Sequence, residues 1–294
     1  MLWENLREEE FDDAIERTGG LCVIPIGCLE KHGEHLPVGT DYYIARMVAE
    51  AAAEMEEVMI FPTSHWLGDV SGYRIRERFP AKDHGGIGLE LNTVLRLLEE
   101  LCDEIARNGF CKILLATSHG GNAWILPHFV RCQEKKEKPY ATLIVNTYHD
   151  ELMAPDPLLE TIRSRREEFA MVTEEDIAVL ESWRPTGYQG GHAEFIETSE
   201  IFSQYPHLVA HDKYEAQRGA GLPTHRSDYL FEMGVRTVRF GAAQYPNSYS
   251  GLPPYGASQS IGQAMIKINA EIMANIYKVI KSDDTCLKAV EMFR

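Results

Sequence analysis

The alternation of short apolar runs with longer amphipathic stretches is the feature that most restricts how this chain folds. The runs LCVIPI (21–26) and KILLAT (112–117) have the length and apolar character of strands buried within a sheet. Residues 42–56 and 90–110 instead space their apolar side chains as amphipathic helices do. Strands and helices that alternate along a chain predict an α/β fold.

The same alternation continues along the chain, and nothing in it marks a second domain. Further strands are predicted at 58–62, 142–148 and 236–241, and further helices at 123–135, 157–170 and 258–281. Residues 171–231 are less regular and rich in Gly, His, Glu and aromatic residues, which indicates an insertion that builds a site. Without an internal repeat, a low-complexity tract or a linker, residues 1–294 are predicted to form one domain.

Composition argues against several classes of function. The formal net charge of −16 disfavours binding to a phosphate backbone, which requires a basic patch. No window approaches the roughly 18 uninterrupted apolar residues of a membrane helix, and the acidic start MLWENLREEEFDD is unlike a secretory signal. Six cysteines without a C-x-x-C pair predict free, mostly buried thiols. We therefore expect a cytoplasmic protein with a small-molecule substrate and no nucleic-acid or membrane partner.

The first group of candidate site residues follows the strand at 21–26 directly, in PIGCLEKHGEHLPVGTD (25–41). Its polar side chains are Glu30, His32, Glu34, His35 and Asp41. In open α/β sheets ligands bind beyond the carboxyl ends of strands. Carboxylates and imidazoles suit zinc, manganese or iron, and one carboxylate can bridge two ions. Any one of these residues could be an ordinary loop residue, but their concentration after a buried strand favours a metal site. Gly33 and Gly39 permit the tight backbone that converging ligands need.

The second group, SHGGN (118–122), follows the strand at 112–117 and precedes a predicted helix. His119 is positioned to be a metal ligand from a neighbouring strand end. The backbone N–H groups of Gly120 and Gly121 could hold an oxyanion or a substrate carbonyl at the helix start. A His-Gly-Gly turn can also be a simple tight connection, so its position beside the first group favours the functional interpretation.

The third group lies in QGGHAEFIETSE (189–200), where His192 and Glu197 are candidate catalytic residues. An imidazole with a pKa of about 6.5 can accept and donate protons at physiological pH. The same stretch predicts a helix start capped by Thr198 or Ser199. The two interpretations are compatible, because a capped helix can still direct His192 into a cleft.

These three groups, in this order, resemble the creatininase family, the creatinine amidohydrolases and their relatives. The family opening, Gly-Ser-x-Glu-Gln-His-Gly-x-His-Leu-Pro ending in an Asp, stands here as GCLEKHGEHLPVGTD, with Cys28 for Ser and Lys31 for Gln. The family's His-Gly-Gly-Asn is present as SHGGN and its later His-Ala…Glu-Thr-Ser element as HAEFIETS. The family's Trp-Glu opening is matched by Trp3-Glu4.

The resemblance implies a three-layer α/β/α sandwich with a mostly parallel central sheet, and a homo-oligomer, often a hexamer in this family. It also implies two divalent metal ions per chain, which would be zinc, manganese or iron. Glu30 and His119 would bind one ion and His32 the other. Asp41 would bridge both ions.

The resemblance assigns catalysis to the third group. His192 would transfer the proton, and Glu197 would orient it or complete a metal shell. The residues expected to bind substrate are Gly120, Gly121, Asn122, His35 and Tyr188.

One position departs from creatininases proper, which have a Glu ligand two residues after the histidine of the second motif. Gly121 stands there, so the second ion needs another ligand, for which Glu197 is the candidate. The Gly-Gly form is typical of members that do not act on creatinine, so that substrate is not predicted. The resemblance implies a hydrolase whose metal-bound water cleaves the C–N bond of a cyclic amide or formamide. The alternative is hydrolytic C–C cleavage of a polyol-derived cyclic ketone or diketone, as in opening of an inosose-type ring.

Other classes fit the sequence less well. A catalytically silent binding protein on the same fold would not need to retain the three groups. No G-x-G-x-x-G follows the first strand, which disfavours a dinucleotide enzyme, and no G-x-S-x-G elbow is present. Arg74, Arg76 and Arg78 are interpreted as solvated loop charges or as contacts for an anionic substrate group.

Overall fold

A parallel β-sheet forms the centre of the molecule in the computed structural model, which describes residues 1–62, 85–183, 191–218, 233 and 249–292. Its strands are β1 (Leu21–Ile26), β2 (Met59–Ile60), β3 (Lys112–Thr117) and β4 (Ala141–Asn146). They pair in parallel in the order β2–β1–β3–β4. The β2 strand is shorter than the predicted 58–62, and the predicted strand at 236–241 lies outside the described residues.

Helices connect the strands and cover the sheet. They are α1 (Phe11–Arg17), α2 (Thr40–Met55), α3 (Leu91–Arg107), α4 (Asn122–Gln133), α5 (Asp150–Met153), α6 (Pro155–Ser164), α7 (Glu174–Trp183), α8 (Phe195–Gln204), α9 (Gln259–Ser282) and α10 (Thr285–Met292). The predicted helices at 42–56, 90–110, 123–135 and 258–281 agree with α2, α3, α4 and α9 to within a few residues. The predicted helix at 157–170 is wrong at its end, because α6 stops at Ser164.

Alternate side chains of the strands enter two different apolar cores. Leu21 and Val23 of β1 pack with apolar residues of α2 and α9, whereas Cys22 and Ile24 pack with α1, α3 and α4. The β3 strand divides its side chains in the same way. Successive side chains on a strand point to opposite faces, so each face of the sheet requires its own layer of helices. This arrangement confirms the predicted three-layer α/β/α fold and explains why β1 is apolar throughout.

A third apolar core lies beside the sheet, among α6, α7, α8 and α9. Helix α8 crosses α9 at Gly262, where no side chain fits. A Cβ atom there would lie 2.5 Å from the carbonyl carbon of Ser199 and 3.0 Å from Cβ of Ser203. This close approach sets the position of α8 against the rest of the fold.

The start of α8 differs from the prediction. Glu194 caps the helix, because its carboxylate accepts hydrogen bonds from the backbone N–H groups of Ile196 and Glu197. The predicted caps Thr198 and Ser199 are wrong, since both lie inside the helix. Their hydroxyls instead donate to backbone carbonyls four residues earlier in the chain.

Among the residues that the structure describes, no helix combines the length and apolar character needed to cross a membrane. The assignment of residues 1–294 to a single domain stays a prediction.

Candidate metal centre

Two neighbouring strand ends bring the first and second motifs together. Strands β1 and β3 pair with Ile26 opposite Thr117. Cys28 and His119 each follow two residues beyond this pair, and Cys28 Sγ lies 3.3 Å from His119 Nδ1. This meeting point is the carboxyl edge of a parallel sheet, where the sequence predicted the site.

Asp41 joins this edge from the first turn of α2, and its side chain is buried. Gly27 allows the approach, because a Cβ atom there would lie 2.7 Å from the carbonyl carbon of Asp41. The Ser118 hydroxyl donates a hydrogen bond to that Asp41 carbonyl. The carboxylate of Asp41 also lies near the positive end of the helix dipole, which favours its ionised form.

A first set of ligand atoms forms around one oxygen of Asp41. Asp41 Oδ2 lies 3.0 Å and Glu30 Oε1 3.2 Å from His119 Nδ1. Together with Cys28 Sγ, these ligand atoms all lie within 4.8 Å of one another. Two carboxylates, an imidazole and a thiol at this spacing are suitable donors for a divalent transition-metal ion.

A second set forms around the other oxygen of Asp41. Asp41 Oδ1 lies 3.3 Å and Glu197 Oε2 3.8 Å from His32 Nε2. Ligand atoms of these three residues also lie within 4.8 Å of one another. Asp41 therefore directs one carboxylate oxygen toward each set.

The environment of His32 fits a bound cation. His32 is completely buried, and its Nδ1 lies 3.2 Å from the carbonyl oxygen of Glu30, which can only accept a hydrogen bond. Nδ1 therefore donates, and Nε2 faces Asp41 and Glu197. No hydrogen bond of good geometry satisfies His32 Nε2 among the described residues. A buried polar atom of this kind requires a partner, and a metal ion between the two carboxylates would supply one.

The carboxylates and imidazoles of the site shift each other's pKa values. Burial opposes the charged form of His32, but Asp41 and Glu197 outweigh it and raise the pKa of His32 to about 10. Burial also acts against the charge of Asp41, but His32 and His119 hold the pKa of that carboxyl well below its usual range. The pKa of Glu197 is raised, chiefly by burial. Without an ion the site thus retains protons, and bound cations would take over their role in balancing the buried negative charge.

His192 lies at the open side of this centre. Its Nε2 donates to the carbonyl oxygen of Lys31 at 2.9 Å, which leaves Nδ1 at 3.8 Å from Glu30 Oε1. The His192 side chain is 30% exposed, whereas that of His32 is fully buried, and the two ring centroids are 4.2 Å apart. Backbone hydrogen bonds to Ser250 in both directions hold His192 in place.

The backbone between His192 and α8 is strained. Ala193 has a φ of 56°, the only positive φ of a non-glycine residue in the described ranges. Its N–H donates to Glu197 Oε2 at 2.5 Å. The strained turn therefore links the orientation of Glu197 to that of His192.

A cavity of about 220 Å³ opens onto the centre. The predicted residues on its wall are Glu30, Asp41, His119, Gly120, Gly121, His192 and Glu197. Residues that the sequence analysis missed also line it, among them Tyr148, Glu194 and Glu200. Two signals were available: Tyr148 is the last residue of the predicted strand at 142–148, and Glu200 is three residues from Glu197 on one helix face.

Two residues predicted to bind substrate do not line this cavity. His35 is buried, and its Nε2 lies 2.9 Å from Oγ1 of Thr198 in α8. Asn122 is buried too, and its amide donates to Oγ1 of Thr117 at 3.0 Å. Both side chains hold neighbouring elements together through these hydrogen bonds, and their role in substrate binding stays a prediction.

Some predicted residues lie elsewhere. Tyr188 and the three arginines Arg74, Arg76 and Arg78 lie outside the described residues. Gly33 has a φ of 60°, as expected for a tight loop, whereas Gly39 has a negative φ and precedes the first turn of α2.

Comparison with known proteins now identifies the family. The family model described as creatinine amidohydrolase matches residues 4–277. This chain belongs to the creatininase family. The creatinine amidohydrolase of Pseudomonas putida is 22% identical over 225 residues, which cover 73% of this chain and 76% of that protein.

Solved creatininase structures share the fold. A structure described as creatininase Mn has a TM-score of 0.70 at 18% identity, covering 96% of this chain and 99% of that one. A mutant creatininase of Zn-Zn type has a TM-score of 0.65 at 18% identity, covering 96% and 98%. Family membership makes this chain a metal-dependent hydrolase of the amidohydrolase type, as the sequence predicted.

Proposed function

We propose that this creatininase-family protein is a dinuclear hydrolase that cleaves the C–N bond of a small cyclic amide or formamide. The observation that carries the proposal is the position of Asp41 between two sets of ligand atoms. Its Oδ2 faces Glu30 and His119, and its Oδ1 faces His32 and Glu197. A carboxylate with one oxygen toward each set is suited to bridge two ions.

The donors suit zinc, manganese or iron, and related solved structures are named for Mn and for Zn-Zn. Divalent ions held there would polarise a substrate carbonyl and lower the pKa of a water molecule. Glu197 belongs to the set of His32 and Asp41. It would therefore supply the further ligand that the ion held by His32 needs, because Gly121 has no side chain to provide one.

His192 is the proposed proton carrier. Its Nε2 is held by the Lys31 carbonyl, and its Nδ1 is available on the cavity side, 3.8 Å from Glu30 Oε1. From this position the imidazole would deliver a proton to the departing nitrogen. Gly120 and Gly121 would orient the substrate carbonyl with backbone N–H groups at the start of α4.

The size of the cavity supports a small substrate. A volume of about 220 Å³ is smaller than the space that drug-sized ligands occupy. Carboxylates and imidazoles line the part of the wall next to the metal centre, whereas Ile44, Met153 and Ile196 add apolar contacts. The substrate is therefore a compact molecule with both a polar reacting group and an apolar edge.

The first experiment is metal analysis of protein purified without chelator, followed by assays on panels of cyclic amides and cyclic ketones. We expect about two ions per chain, loss of activity on chelation, recovery on adding zinc, manganese or iron, and release of an amine. A new carboxylate without an amine would instead establish C–C cleavage. One ion per chain would refute the dinuclear centre, and no bound metal would refute the mechanism as a whole.

Two variants separate the roles of individual residues. His192→Ala is expected to lower turnover by roughly two to four orders of magnitude while metal content is unchanged. Asp41→Asn is expected to lose metal, because it weakens both sets of ligands. His128→Ala, which changes an exposed histidine on α4, is the control and should alter neither quantity. Full turnover in metal-loaded His192→Ala would exclude the proposed proton transfer.

A further inference from the structure

Cys28 lies inside the set of ligand atoms formed by Glu30, Asp41 and His119. Its Sγ is 2.9 Å from Asp41 Oδ2 and 3.3 Å from His119 Nδ1. The Cys28 side chain is completely buried, so its sulfur contacts these polar groups and not solvent. The water activation and the proton transfer proposed above make no use of this thiol.

We propose that Cys28 is a ligand of the ion held by Glu30, Asp41 and His119, and that it makes this position selective for a thiophilic metal such as zinc. This inference rests on the proposed metal centre and specifies the chemistry of one of its two positions. Binding would form a sulfur–metal bond, and the thiol proton would leave to solvent. Thiolate favours zinc, whereas manganese favours oxygen donors.

The spacing of the four ligand atoms supports coordination. With bonds of about 2.0–2.3 Å, the ligand atoms of a tetrahedral zinc ion lie roughly 3.3–3.7 Å apart. Three of the observed separations, 2.9 Å, 3.0 Å and 3.2 Å, are slightly shorter, and the fourth, 3.3 Å, equals the lower limit of this range. Outward shifts of a few tenths of an ångström would therefore accommodate an ion with Cys28 as its fourth protein ligand.

The surrounding backbone also supports the proposal. Cys28 lies two residues after the end of β1, and Gly27 is packed against the start of α2, so the thiol is held close to Asp41. A sulfur ligand from Cys28 would complete a set that otherwise has two carboxylates and one imidazole.

The test uses the full-length protein loaded with Co²⁺ and, separately, with Zn²⁺. Wild-type Co²⁺ protein should show a thiolate-to-cobalt charge-transfer band in the near ultraviolet. X-ray absorption of the Zn²⁺ protein should show one sulfur neighbour per chain at about 2.3 Å, which is an average of half a sulfur per zinc ion when both positions are filled. Both signals should be lost in Cys28→Ser, whose oxygen replaces the sulfur.

A matched control is Cys22→Ala, which removes another buried thiol of the same segment. Cys22 lies in β1 and packs into the core shared with α3, away from the ligand atoms. This variant should retain the charge-transfer band. In competition experiments, the preference for Zn²⁺ over Mn²⁺ should be at least about tenfold lower in Cys28→Ser than in wild type, because only the soft ligand has been removed.

The outcomes distinguish this inference from the proposed function. If wild-type protein binds ions but shows only nitrogen and oxygen neighbours and no charge-transfer band, Cys28 is not a ligand. The thiol would then only donate a hydrogen bond to Asp41, and the proposed hydrolase would stand. If no ion binds, both proposals fail. Because the wild-type spectra decide the point, a Cys28→Ser variant that does not fold leaves the inference testable.

Discussion

A single methyl group at Gly262 should weaken metal binding at Glu197, although the two residues lie on different helices. Gly262 of α9 packs against the backbone of Ser199 in α8, two residues after Glu197. In Gly262→Ala, the new Cβ would lie 2.5 Å from the Ser199 carbonyl carbon. Unstrained carbon atoms stay about 3.5–4.0 Å apart. The two helices must therefore separate locally by roughly 1 Å.

The cost follows from two opposing effects. Overpacking of this kind costs about 1–3 kcal/mol and can exceed that range when backbone must move. The higher helix propensity of alanine compared with glycine offsets about 1 kcal/mol of this cost. Taking the upper part of the range, the free energy of unfolding should fall by about 2 kcal/mol. A displacement of roughly 1 Å also exceeds the ~0.5 Å within which a ligand set must be held.

The assay is urea denaturation of the metal-free protein together with zinc titration. We expect the reduced stability and a weakened affinity for one zinc ion, the one that His32, Asp41 and Glu197 are proposed to bind. Gln263→Ala, at the exposed neighbouring position, should stay within about 0.5 kcal/mol of wild type and bind zinc normally. Unchanged stability and unchanged affinity for both ions in Gly262→Ala would refute this account of the helix crossing.

Two further predictions concern buried groups outside the ligand sets. Burial, with smaller effects of His32 and His211, lowers the pKa of His35 from 6.5 to about 4. As pH falls from 8 to 5, the unfolded chain gains a proton at His35 that the folded chain refuses, so metal-free wild type should lose about 2 kcal/mol relative to His35→Gln. Equal pH slopes in urea titrations of the two proteins would contradict this. The buried Lys112 donates to two carbonyls at the end of α9 and pairs with Asp284 at 2.7 Å. In the same titrations, Lys112→Met should lower the free energy of unfolding by about 2–4 kcal/mol. Asp284→Asn changes a partner that is 66% exposed and should lower it by less than about 1 kcal/mol. Similar losses in the two variants would refute the assignment of this energy to the buried lysine.

The roles of the ligand residues, the number of ions, the hexameric assembly and the cytoplasmic location stay predictions. The family and the hydrolase class are confirmed by the match over residues 4–277. The motif around Glu30, His32 and Asp41 was specific enough to predict both the family and the hydrolase class. It could not predict the substrate, because the residues that surround a cavity come from distant parts of the chain.

Local pattern was sufficient for the α/β class and for the elements that carry the motifs, because strand and helix periodicity depends on residues close in sequence. It also predicted that the motif containing Glu30 and His32 and the motif containing His119 lie side by side, since parallel strand ends meet at one edge of a sheet. Local pattern could not predict the direction in which each side chain points at that edge. His35 belongs to the same motif as His32, yet it packs against Thr198, 163 residues away. The packing of β1, β3, α2 and α8 decides which histidine faces Asp41, and it also places Cys28 among the ligand atoms. This packing joins residues that are far apart in the chain, so sequence spacing does not predict it.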